Sequence, residues 1–111
     1  MGEADKIDVL RGTLDLLILR TLATGPRHGL GISRRIQEIT RGTFDVTPGS
    51  LFPALRRLED GGALEGTWGE SETHRRARYY RLTRAGRKKL EAEKRAWERV
   101  FVAVGRVLQK A

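Results

Sequence analysis

Apolar residues recur along this chain first with helical and then with strand periodicity. Within 9–23, Leu10, Leu14, Leu17, Ile18 and Leu22 follow at spacings of four, three, one and four, a broad stripe that predicts a helix packed into a core. Thr24-Gly25-Pro26 ends it, because glycine caps a helix C-terminus and proline cannot continue one. A second helix is expected over 29–40, with Ile32, Ile36 and Ile39 inward and Arg34, Arg35, Gln37 and Glu38 outward. Gly29 and Gly31 weaken its first turn by about 1 kcal/mol each relative to alanine, which points to close backbone packing or a bend.

After a turn marked by Gly42 and Asp45, a third helix lies within 47–59, where Leu51, Leu55 and Leu58 share one face. Either Thr47 or Ser50 caps it. Pro48 suits the first helical position behind Thr47, whereas Pro53 suits only the first turn of a helix capped by Ser50, so regular helix is expected from near Ser50. Asp60-Gly61-Gly62 closes it.

The period then changes to two. Residues 63–68 and 77–83 read as strands, with Tyr80 and Leu82 on one face and Tyr79 and Arg81 on the other. The connection, 69–76, exceeds the usual two to five or so residues of a hairpin loop, and long loops are often functional. From Thr83 onward the chain reads as one helix, in which Leu90, Trp97, Phe101, Val104 and Leu108 form a seam with Lys94 in one inward slot. At about 1.5 Å per residue it runs nearly 40 Å, too long for three short helices to cover, and it calls for a partner chain.

The expected fold is mainly α with a two-stranded β-hairpin. Residues 1–83 form a winged helix-turn-helix domain and 84–111 a long C-terminal dimerisation helix. A chain of 111 residues suffices for one core.

Charge sharpens this picture. The formal net charge is +8, but residues 1–73 hold 9 Lys and Arg against 11 Asp and Glu, while 74–111 hold 13 against 3. The basic excess starts inside the hairpin and points to a polyanionic partner, whose condensed counterions clustered cations release. With no cysteine there are no disulfides, thiol nucleophile or Cys-based zinc site. His28 and His74, the only histidines, lack triad or metal-ligand spacing, and Gly29-Leu30-Gly31 lacks the preceding strand and third glycine of a phosphate loop. No catalytic residue, metal, cofactor or enzymatic activity is expected. Acidic residues interrupt the apolar positions of the first thirty residues, and no apolar run reaches the roughly twenty residues that span a bilayer, so a cytoplasmic protein without membrane association is expected.

A helix-turn-helix of this kind lays its third helix in the major groove of double-stranded DNA by the N-terminal end. The candidate contacts there are Thr47, Gly49, Ser50, the outward Phe52 and, further along, Arg56, with Ser50 as a phosphate anchor and Arg56 as a base reader. On the wing they are His74, Arg75, Arg76 and Arg78, because arginines on a hairpin tip enter a narrow minor groove or pair with phosphates. The plainer alternatives are that Ser50 only caps, that Arg56 is solvated and that the wing arginines balance Glu70 and Glu72. Trp68 reads as a core or hairpin-packing residue, and Trp97 as interface packing or, paired across a twofold axis, as one wall of a site for a planar hydrophobic effector. The competing function is a winged-helix protein-interaction module without specific DNA binding.

Four blocks in order carry a more specific resemblance: 10–19 (LRGTLDLLIL), 28–32 (HGLGI), 49–59 (GSLFPALRRLE) and 78–83 (RYYRLT) with Gly86. Together they resemble the PadR family of bacterial transcriptional regulators over about 9–108. The resemblance implies a winged helix-turn-helix with a single C-terminal helix, a twofold dimer that usually represses transcription, and an interface built from the first and last helices. Its expected interface residues are Leu10, Leu14, Leu90, Trp97, Phe101, Val104 and Leu108. It puts DNA contacts at Ser50, at the residue after Leu51, and at Arg75, Arg76 and Arg78. The family commonly has tyrosine where this chain has Leu30 and Phe52, so a phenolic hydrogen bond is lost and Phe52 reads as a packing contact. Some multidrug-sensing members hold planar hydrophobic compounds between tryptophans of the C-terminal helices, and Trp97 occupies a similar region.

Overall fold

A computed structural model describes residues 11–110. The elements are α1 (Arg11–Leu22), β1 (Arg27–His28), α2 (Gly29–Ile39), α3 (Pro48–Asp60), β2 (Leu64–Glu70), β3 (Arg76–Leu82) and α4 (Arg84–Lys110).

The first helix is apolar around most of its circumference, and that places it at the centre. Leu14, Ile18, Leu19 and Leu22 are buried, and Leu16 and Leu17 pack against the same cluster. Around it close Ile32 and Ile36 of α2, Leu51, Ala54, Leu55 and Leu58 of α3, the hairpin base Leu64, Tyr80 and Leu82, and Leu90 of α4. Arg57 donates to Asp15 Oδ1 at 2.5 Å, a partly buried pair that ties α3 to α1.

The sheet has the antiparallel order β1-β3-β2. Its third strand, β1, pairs Arg27 with Tyr80 and His28 with Tyr79, and at two residues it is too short to leave a periodic signal. His28 then caps α2, its Nδ1 accepting from the Gly31 N–H at 3.0 Å, and its ring meets Tyr79 edge-on with centroids 5.4 Å apart. His28 thus joins the wing to the start of α2.

Three local expectations change. Regular helix begins at Pro48, not near Ser50, with Thr47 at the N-cap. Pro53 is tolerated inside because it forfeits only the bond to the Gly49 carbonyl, and Gly49 is exposed to water that can replace it. Both strands run to the pair Glu70 and Arg76, so the connection shrinks to 71–75. Cross-strand pairing outweighs the weak strand propensity of Gly69 and Glu70. Ile39, expected inward, is exposed at the last position of α2, where the apolar stripe outlasts the core.

Thr83 anchors α4. Its hydroxyl accepts from the Gly86 N–H at 3.0 Å and donates to the Gly62 carbonyl at 2.6 Å, joining helix start to hairpin base, and such a cap is worth about 1 kcal/mol. Of the expected interface residues, Leu10 lies outside the described residues. Leu14 and Leu90 are corrected to core positions, at 3% and 5% exposure, because α1 and the start of α4 pack within one protomer. The distal half of α4 differs: Phe101 and Leu108 are 74% and 73% exposed, with Val104 and Val107 beside them. No helix among the described residues is long and apolar enough to cross a membrane.

Candidate nucleic-acid interface

The start of α3 presents the helix's positive end to solvent. Thr47 has extended backbone, and its carbonyl accepts from the N–H groups of Ser50 and Leu51 at 3.1 and 2.9 Å. Its hydroxyl turns to Ser50 Oγ at 3.4 Å instead of capping a backbone amide. Thr47, Gly49, Ser50 and Arg56 are all exposed. In steps of 100° per residue, Gly49 and Arg56 stand opposite the buried Leu51, Leu55 and Leu58, with Ser50 and Phe52 on the two flanks.

The wing tip is held by its own atoms. Ser71 N–H donates to the Arg75 carbonyl at 2.8 Å and His74 N–H to the Ser71 carbonyl at 2.9 Å, while His74 sits at φ 61°. The His74 imidazole reaches Glu70 Oε1 from Nδ1 at 2.7 Å, and the Tyr79 hydroxyl donates to the Glu70 carbonyl at 2.9 Å. Glu70 therefore engages His74, and Arg75 and Arg76 remain exposed.

Of the two readings of Trp68, core or hairpin packing, the first is corrected: the residue is 57% exposed and packs on the hairpin's own side chains. Alternation puts it on the same face as Leu64, but the hairpin runs past the edge of the core, and Trp68 lies on the overhang. Its ring is covered by arginines, Arg76 at 4.4 Å and Arg78 at 5.5 Å from the ring centroid. Such stacking orders an arginine without neutralising it.

Arg78 is turned inward to α3, where Nη2 lies 2.5 Å from Glu59 Oε2 with both side chains about a third exposed. The bond to Glu59 holds the Arg78 guanidinium above its ordinary value, against the opposing pull of burial. Next to it, burial pushes the Tyr80 phenol up, and the Glu59 carboxylate adds to this while Arg78 counters it. Arg81 pairs with Glu65 on the outer face.

The wing faces the start of α2 and Phe52 of α3 across a groove of about 290 Å³, bordered by Leu30, Phe52, Thr73, Arg75 and Arg78. Of the expected contacts, Thr47, Gly49, Ser50 and Arg56 share the α3 side and His74, Arg75 and Arg76 the wing tip, whereas Arg78 bridges the two. Far from both, Trp97 is half-buried, meets the Phe101 ring edge-on at 6.3 Å, and lines an open hollow of about 360 Å³ with Gly12, Thr13, Glu93 and Ala96. Among the described residues, no three His, Asp or Glu side chains are grouped to hold a metal ion.

The model of the transcriptional regulator PadR-like family matches residues 18–92, which hold α2, α3 and the whole wing. The chain belongs to the PadR-like family. A transcriptional regulator of Mycobacterium tuberculosis is 38% identical over 88 residues, covering 79% of this chain and 78% of its own. Among solved structures, a transcriptional regulator from Clostridium thermocellum superimposes with a TM-score of 0.80 at 31% identity, covering 88% of this chain and 95% of the other. A PadR-like transcriptional regulator from Bacillus cereus gives 0.76 at 29%, covering 91% and 96%. As a PadR-like protein the chain is a DNA-binding transcription regulator with a winged helix-turn-helix fold and a long C-terminal helix.

Sequence reasoning missed Glu59 as the partner of Arg78, although a signal existed. Arg78 shares the strand face of Tyr80 and Leu82, and an arginine on an inward face needs an acidic partner. It also missed the overhang that exposes Trp68, which depends on where the helices end.

Proposed function

We propose that this PadR-like chain is a homodimeric repressor that reads an inverted-repeat operator. Residues 1–83 grip DNA and 84–111 pair the protomers. One observation supports this above the rest: the helix that exposes Thr47, Ser50 and Arg56 also carries Phe52, which shares one groove with the exposed Arg75 and Arg76 of the wing. In this reading Thr47, Gly49 and Ser50 hold phosphate at the helix start and Arg56 reads a base edge. Arg75 and Arg76, with His74 beside them, engage the neighbouring minor groove or its phosphates. The seam of half-buried Trp97 and exposed Phe101, Val104 and Leu108 is covered by the twin helix, which sets the two recognition helices about 34 Å apart.

Selection of binding sites from a random DNA pool tests the reading. An enriched inverted repeat with half-sites one turn apart is expected, with affinity falling steeply as salt rises. Enrichment of single half-sites, or none, would overturn it. Repression is checked by transcription from a template carrying the selected repeat, where added protein lowers the yield.

We further assign the hollow beside Trp97 to a planar hydrophobic effector, for which the indole offers a flat wall and Glu93 a counter-charge for a cation. Titration with a planar cationic dye is expected to quench tryptophan emission and release DNA. Unchanged emission up to high micromolar dye would count against it.

A further inference from the structure

Two large apolar side chains, Leu30 of α2 and Phe52 of α3, stand in the groove that these helices form with the wing, where a polyanion would lie. Leu30 is 57% exposed and Phe52 49%, although the rest of the α3 apolar face is buried. Phe52 is seated by one edge: a Cβ on Gly29 would fall 2.9 Å from Phe52 Cε1 and 3.0 Å from Cζ, so the glycine leaves room for the ring. Its other edge faces the groove. With Ala77, the two residues form an apolar floor, and Ser71, Thr73 and Arg75 form a polar, cationic rim.

The rim suits phosphates, but phosphates have no use for a phenyl ring and a leucine. Duplex DNA presents one apolar group at its major-groove base edges, the thymine 5-methyl, and apolar side chains are its usual readers. An RNA duplex offers neither this methyl nor a major groove wide enough to enter. We propose that Phe52 and Leu30 form a thymine-methyl reader, which makes thymine the preferred base where they meet each half-site. The inference rests on the DNA-binding reading above, and it gives Phe52 a role beyond packing.

Replacing operator thymines one at a time by deoxyuridine tests it, since this removes a methyl and leaves every hydrogen-bonding group and phosphate in place. At one or two positions per half-site, the native dimer is expected to bind the deoxyuridine operator about fourfold more weakly, the equilibrium counterpart of about 0.8 kcal/mol for one buried carbon. In Phe52→Ala the ratio of thymine to deoxyuridine affinities is expected to fall to near one. Leu30→Asn, a change at an exposed position, should lower it as well. Each ratio is taken within one protein, so a loss of folded material cancels. Equal binding of both operators at every thymine, or an unchanged ratio in Phe52→Ala, would overturn the proposal. Failure of the underlying reading looks different, because the native protein would then prefer no operator over random DNA.

Discussion

Arg78 on the wing strand donates to Glu59 on the last turn of α3 at 2.5 Å. This partly buried bond ties the wing strand to the C-terminal end of α3, the helix that brings Phe52 to the groove. A Glu59→Gln change removes a negative charge near the proposed DNA path, so Coulomb forces alone would tighten binding. Weaker operator binding by several-fold, with an unchanged salt slope, is therefore the expected mark of lost positioning. Fluorescence anisotropy against operator DNA at several salt concentrations measures it, and tighter binding would refute the positioning role.

Arg75 and Arg76 are exposed at the wing tip, with Arg76 ordered against Trp68. Replacing both by alanine should weaken binding to operator and random DNA alike, and flatten the plot of log affinity against log salt by about 0.9 for each phosphate that is no longer neutralised. An unchanged affinity for random DNA would remove the wing from the interface.

Phe101 and Leu108 leave most of their surface to water in the single chain. The double change Phe101→Glu with Leu108→Glu should convert a species of twice the chain mass into one of 12.5 kDa, because charge repulsion replaces apolar burial along the seam. Sedimentation equilibrium decides it. Operator affinity should collapse in the same variant, while its thermal unfolding at high dilution stays close to that of the native chain.

Tyr80 is 7% exposed, and burial raises its phenol pKa above the ordinary value of about 10. A group whose folded pKa is raised keeps its full contribution below the unfolded pKa and loses it as pH climbs toward the folded one. Stability should therefore drop above about pH 10 more steeply in the native protein than in Tyr80→Phe. Chemical denaturation at pH 8 to 11 measures the difference, and lysine titration, common to both proteins, cancels. Parallel curves would show that Tyr80 does not couple folding to alkaline pH.

Elements with many periodic residues were legible without coordinates. The Leu14, Ile18 and Leu22 stripe, the Leu51, Leu55 and Leu58 face and the inward Tyr80 and Leu82 are all buried. Local side-chain chemistry alone suffices there, since one apolar face per element must find cover. The family blocks were legible for the same reason, as contiguous strings of residues. Element ends were less so. Pro48 opens α3 and Glu70 and Arg76 close the hairpin because tertiary pairing outweighs weak local preference.

By itself the sequence determined the order of elements, the basic bias of the second half and the membership of a DNA-binding family. Only the tertiary structure decided what each exposed residue meets. Trp68 left the core because the hairpin overhangs it, Leu14 and Leu90 went to the protomer's own core, and Arg78 turned from solvent to Glu59 across nineteen residues of chain. Periodicity tells which way a side chain points relative to its own backbone. What lies in that direction depends on where other elements stop, and that is a property of packing in three dimensions.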